Sequence, residues 1–348
     1  MKTTMMNDGA MTTMTPMTPT TTEVDSGAPA PAMTQDGMTP TPPGRKETRY
    51  TYAAALAASE RVGWRVEDLI GGDKRLDFAM PFLPESLARI QGMDFLSEDE
   101  KRVLSQIRGH DYLYIFGLVE EFILPFVLDH ARPHLHGDDA RVRALLQFAS
   151  EEAKHIDLFK RFRANFLEDF GSRCDVIGPP DEIARAVLAH HPLAVALAIL
   201  HIEWMTQRHY TDSVKDDQTL DPQFKSLLKH HWMEEAQHAK LDVLMVQALA
   251  DSCSAEEIDL AVNEYLEIGM LLDGGLMQQV QFDLEAFERA TGRQLSPAER
   301  EAFVAVQQQA TRWTYLGTGM THPNFLETVE ALGPQYRERI ESVSPSFC

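Results

Sequence analysis

Two short motifs in this 348-residue chain pair carboxylates with imidazoles at helical spacing. They read Glu151-Glu152-Ala153-Lys154-His155 and Glu234-Glu235-Ala236-Gln237-His238, the pattern E-E-A-x-H written twice. Residues three apart on an α-helix share a face, about one turn along. Glu152 with His155, and Glu235 with His238, can therefore each grip one metal ion. A single E-x-x-H is as readily a solvated i,i+3 pair. Two copies on separate long helices match a bundle site in which two helices give Glu-x-x-His and two others give one Glu each. An oxygen-rich donor set with few imidazoles suits iron or manganese.

Two more glutamates sit where such a site requires them. Glu203 is the first acidic residue after the apolar run from Leu193, and burying its charge unpaired would be costly. Glu120 and Glu121 interrupt another apolar stretch, Tyr112 to Pro125. Adjacent helical residues point about 100° apart, so one of the two is the ligand. Glu121 is favoured, because Gly117 one turn earlier would leave room on that face. His231 precedes Glu235 by four residues and His238 by seven, which places all three within about 60° of one helix face. It is the seventh candidate ligand. Glu151 and Glu234 are placed to accept hydrogen bonds from the ligating imidazoles. No catalytic residue beyond the metal ligands is expected.

The elements that must carry these residues read as helix nearly throughout. Ser97-Glu-Asp-Glu100 has the form of a capping box and opens a long helix to about Ala131. A second runs from about Asp138 to Phe170, a third from Leu193 to Lys215, and a fourth from Asp221-Pro222 to Ser252, with its proline suited to the first turn. Shorter helices are expected over Tyr50–Val62 and Asp181–Ala189, and long ones over Ser254–Thr291 and Ser296–Gly317, before a helical tail to Cys348. The prolines of Asp77–Pro84 oppose helix there. There is no convincing β-alternation. The expected fold is all-α, a ferritin-like four-helix bundle core over about residues 97–253, with additional flanking helices over 254–348.

Composition narrows the class. Apolar residues make up 44% of the chain, enough for a sizeable core, and the net charge of −21 argues against a nucleic-acid partner. The three cysteines, Cys174, Cys253 and Cys348, form no C-x-x-C pair, which leaves disulfide scaffolds and Cys-ligated clusters poorly supported. Residues 1–47, rich in Thr, Met and Pro, are expected to be a disordered tail ahead of a single helical domain over 48–348. No stretch offers the roughly 20 apolar residues of a membrane span. A cytoplasmic location is expected.

The set Glu121 (or Glu120), Glu152 with His155, Glu203, and His231-x-x-x-Glu235-x-x-His238 resembles the p-aminobenzoate N-oxygenase family of ferritin-like diiron enzymes. The likeness covers the four-helix core, with E-E where such motifs often read D-E. It implies two iron ions, activation of O2 and transfer of oxygen to a small-molecule substrate, in that family an arylamine nitrogen taken to hydroxylamine, nitroso or nitro. It further implies a separate electron donor, since no flavin or nicotinamide motif is visible. A homodimer is the expected assembly. Oxidation at carbon and ferritin-like iron oxidation or storage are the alternatives. Tyr114, Leu118, Trp204, Gln207 and Tyr210 are the residues expected near a substrate pocket. A radical-generating subunit is disfavoured by Phe159, where a tyrosine one turn after His155 would serve it.

Overall fold

The computed structural model describes residues 49–348; the expectation for the tail lies outside them. The elements in chain order are α1 (Tyr52–Ser59), α2 (Glu85–Ala88), α3 (Glu98–Ala131), α4 (Asp139–Asp169), α5 (Pro180–Leu188), α6 (Pro192–Arg208), α7 (Pro222–Asp251), α8 (Ala255–Thr291), α9 (Pro297–Arg312), α10 (Thr318–Met320), α11 (Pro323–Leu332) and α12 (Pro334–Val343). Among the described residues there is no β-strand, only an isolated bridge between Gly71 and Lys74. The chain is all-α, as its sequence indicates, and no helix is long and apolar enough to cross a membrane among the described residues.

Local chemistry sets the helix starts. Ser97, Ser254 and Ser296 each complete a capping box, with Glu100, Glu257 and Glu299 respectively. Asp221 caps α7, with Pro222 in its first turn. The third long helix departs from expectation near its end. Regular α-helix stops at Arg208, and His209–Val214 forms a π-helical turn. A second π-helical turn, Trp313–Gly317, joins α9 to α10. His209 ties the two together, its Nε2 lying 2.9 Å from the Thr314 carbonyl. Such insertions redirect side chains within an otherwise regular helix.

The core is a bundle of two helical hairpins: α3 packs along α4, α6 packs along α7, and α4 meets α7. Helix α8 lies against both α3 and α6 and roofs that side of the bundle. A buried ionic group secures the roof. Arg108 of α3 lies 3.6 Å from Asp111 and 3.5 Å from Asp283 of α8, and all three are at most 1% exposed. Gln279 donates to both carboxylates, at 3.0 and 2.9 Å. Burial pushes Asp111 up to about 6 and Asp283 well above the usual carboxylate range.

Removing one partner of such a group leaves charge buried without compensation. Arg108→Met is expected to lower stability at pH 8 by about 3–5 kcal/mol, read by urea denaturation. An aspartate whose folded pKa is raised binds its proton more tightly when folded, so its contribution to stability declines as pH rises from about 4 through 6. The cost of Arg108→Met is therefore expected to be smaller at pH 5 than at pH 8.

Candidate metal centre

Six of the seven residues expected from sequence converge at mid-bundle. Glu152 and His155 come from α4, Glu203 from α6, and His231, Glu235 and His238 from α7, each at most 1% exposed. The fourth helix, α3, contributes Glu120 rather than Glu121. Ligand atoms of Glu120, His155, His231 and Glu235 lie within 4.8 Å of one another, and so do those of Glu152, His155, Glu235 and His238. The two groups share His155 and Glu235 and so adjoin, and a carboxylate such as that of Glu235 has oxygens for two ions.

The choice of Glu120 corrects the sequence expectation, and its cause is helix register. Leu113, Phe116, Glu120, Ile123 and Val127 form one 3-4-3-4 stripe whose members are at most 2% exposed. Glu121 falls on the stripe of Leu124 and Leu128, the latter 41% exposed. Its carboxylate pairs with Lys160 of α4 at 2.7 Å, on the outside of the bundle. Gly117 does leave open space on the Glu121 side, but that space is the outer groove it lines with Glu121 and Lys160, not the interior of the bundle.

Hydrogen bonds fix which imidazole nitrogen faces inward. His155 Nε2 is 2.9 Å from Glu234, and His238 Nε2 is 2.9 Å from Glu151. Each carboxylate accepts the Nε2 proton, which leaves Nδ1 as the lone-pair donor toward the cluster. His155 Nδ1 lies 3.0 Å from Glu235, and His238 Nδ1 lies 2.8 Å from Glu152 and 2.7 Å from Glu235. His231 is turned the other way, with Nε2 3.0 Å from Glu120 and 2.5 Å from Glu235. The bracing is crossed: the extra Glu of each E-E-A-x-H motif holds the histidine of the other. Glu151 is itself held by Ser59 of α1 and by Gln147, and Glu234 pairs with Lys154.

The cluster is incomplete as a set of protein groups. Glu120 Oε2, both Glu152 oxygens, His155 Nδ1, Glu203 Oε2, His231 Nδ1 and Glu235 Oε1 are buried without a hydrogen-bond partner. Unpartnered buried polar atoms are costly, and most of these face one another. Against the cost of burial, the charge of Glu235 and hydrogen bonds to carboxylates hold His155 and His238 well above the usual imidazole range. Burial and the neighbouring Glu235 push Glu203 well above the carboxylate range. Four ionised carboxylates carry four negative charges, which two divalent cations would balance. The donor set fits such a pair.

Aromatic rings dry the site. Phe148 stacks on His238 with centroids 4.0 Å apart, and Trp64 lies parallel to His155 at 5.9 Å. Phe116 and Phe159 meet His231 edge-on at 5.5 and 4.9 Å. The sequence reading missed Trp64, Ser59 and Asp242. Asp242 is 1% exposed, and neither of its carboxylate oxygens has a partner. Its signal was present, since it follows His238 by one turn on the same face. Trp64 and Ser59 lie far away in sequence and carried no such signal.

A cavity of about 220 Å³ adjoins the cluster, between α3, α6 and α8. Leu118 lines it, as expected, but Tyr114 borders a separate outer groove with Glu121 and Lys160. Trp204 instead stacks on His322 and Tyr210 on Trp232, while Gln207 donates to the Trp232 carbonyl. Phe116 lines the cavity and also touches His231, so its ring partitions cavity from cluster.

No protein-family model matches this sequence, and no curated protein matches it. Among solved structures the chain is similar to variants of an R2-like ligand-binding oxidase. One, with an anaerobically reconstituted Mn/Fe cofactor, has 14% identity and a TM-score of 0.42, covering 77% of this chain and 93% of that one. Another, with an aerobically reconstituted Fe/Fe cofactor, has 16% identity and a TM-score of 0.40, covering 76% and 93%. Function must therefore be read from the site itself.

Glu120→Ala is expected to reduce bound metal on reconstitution, and Glu121→Ala to leave it unchanged, by metal analysis of the desalted protein. Glu151→Ala is expected to weaken metal binding by roughly 10–100-fold in chelator competition, through loss of the His238 orientation.

Proposed function

We propose that this chain is a non-haem dimetal oxygenase, with two iron ions as its cofactor, that activates O2 and transfers oxygen to the nitrogen of an arylamine. The observation that carries the dimetal reading is the pair of adjoining four-residue groups sharing His155 and Glu235 inside a dry bundle. The resemblance of the seven-residue set to p-aminobenzoate N-oxygenases, with Glu120 in the α3 position, supports the narrower reaction. The cavity beside the cluster favours substrate oxidation over iron storage.

In this reading Glu120, Glu152, His155, His231, Glu235 and His238 would together hold the two ions, with Glu203 added from α6, and His155, with only Nδ1 turned inward, would serve one ion alone. A reduced iron pair supplies the electrons and the Lewis acidity that O2 activation requires. The chain's own residues provide position and environment. Glu234 and Glu151 keep His155 and His238 in the tautomer that presents Nδ1. Phe148, Phe159 and Trp64 keep water from the imidazoles, and Phe116 separates the reacting centre from the cavity. Electrons for a further cycle come from a separate donor.

Reconstitution with Fe(II) under anaerobic conditions should give about two irons per chain. Admission of O2 should then convert an added arylamine to N-oxygenated products, measured by mass spectrometry with 18O2. His231→Ala should keep much of the iron but change the rate at which the reduced protein consumes O2. Fewer than one iron per chain after reconstitution, or label found only in water, would sink the proposal.

A further inference from the structure

The cavity beside the metal cluster has a chemical character that the metal ligands do not determine. None of its lining residues is acidic, basic or histidine; the wall is largely aliphatic and aromatic, with Ile115, Leu118, Ile202 and Leu276 among its members. Tyr315 is also on the wall, and its hydroxyl is buried without a hydrogen-bond partner.

None of the fixed cations nearby lines the cavity. Arg108, in the same helix as Ile115, lies between Asp111 and Asp283. Arg312, one turn before Tyr315, is held by Asp273 through two bonds of 2.7 and 2.8 Å. Arg163, near Tyr114, lies in the outer groove.

From this wall we infer that the cavity takes a neutral, apolar, single-ring compound with a hydrogen-bonding group for Tyr315, and excludes carboxylate-bearing substrates. The inference rests on the proposed oxygenase reading only for the ligand's role as substrate.

The physical reason is desolvation. A carboxylate moved into this cavity would lose its water shell and meet no cation on the wall, a far larger loss than the apolar contact returns. An apolar substituent of equal size loses nothing and gains burial. The same argument disfavours alkylammonium ions, whereas arylamines are weak bases and enter uncharged. A volume of about 220 Å³ lies below the roughly 300–1,000 Å³ typical of ligand cavities and suits one ring with a short substituent.

4-Isopropylaniline and 4-aminobenzoate test this directly, since they share an aniline ring and the same number of non-hydrogen atoms. Calorimetric titration of the full-length protein at pH 7.5, metal-free and again loaded with Fe(II) under anaerobic conditions, should show 4-isopropylaniline binding at least about tenfold more tightly in both forms. Ile183→Arg places a cation on the half-buried part of the wall and should narrow or reverse that ratio. Leu271→Arg, at a 45% exposed position on the wall, does the same with less demand on the core. Gly275→Phe, which fills space beside Ile177, should weaken 4-isopropylaniline.

Equal or tighter binding of 4-aminobenzoate by the unaltered protein overturns the inference. So does failure of both compounds to bind, or undiminished 4-isopropylaniline binding by Gly275→Phe. Titration of the metal-free protein separates this outcome from failure of the oxygenase reading, which would appear as missing iron or missing O2 uptake.

Discussion

Four glutamate carboxylates and three imidazoles are driven into the middle of an apolar helical bundle, and much else in the structure answers to that burial. Water is excluded by Phe148, Phe159 and Trp64, so the charge must be neutralised from within. Protons offer partial relief: they can reside on His155, His238 and Glu203. Yet several buried oxygens and ring nitrogens remain without partners. Two divalent cations would satisfy most of these atoms together.

The crossed bracing follows from the same constraint. An imidazole can present a lone pair inward only if its other nitrogen keeps a proton and an acceptor. Glu151 and Glu234 supply those acceptors from the opposite motif, so α4 and α7 each orient the other's ligand. Ser59 and Lys154 in turn hold the two bracing carboxylates. The site is thus a joint between hairpins, and its geometry and the α4–α7 contact are set together.

Helix α8 converts a metal bundle into a vessel. By lying against both α3 and α6 it roofs the space beside the cluster, and the Arg108–Asp111–Asp283 group fixes it there. Phe116 stands where cavity and cluster meet. The redirection of backbone at His209–Val214 and Trp313–Gly317 brings Tyr315 to the cavity wall and joins both π-helical turns through His209. Neither turn carries a distinctive residue signal in the sequence, because no residue type is specific to a π-helical turn.

The helical fold was legible because each long helix carries its own signals, from the Ser97, Ser254 and Ser296 capping boxes to the apolar stripes. The Glu-x-x-His pairs were legible because three-residue spacing is a local property of the helix. Even Glu120 could have been found, since the stripe Leu113, Phe116, Ile123 and Val127 passes through it and not through Glu121. Other features belong to tertiary structure alone. Which motif's glutamate braces which histidine, how Trp64 comes to lie on His155, and that the cavity wall carries no charge all depend on side chains about 80 to 200 residues apart meeting in space. A sequence states spacing along one helix, and only the packing of several helices decides which faces meet.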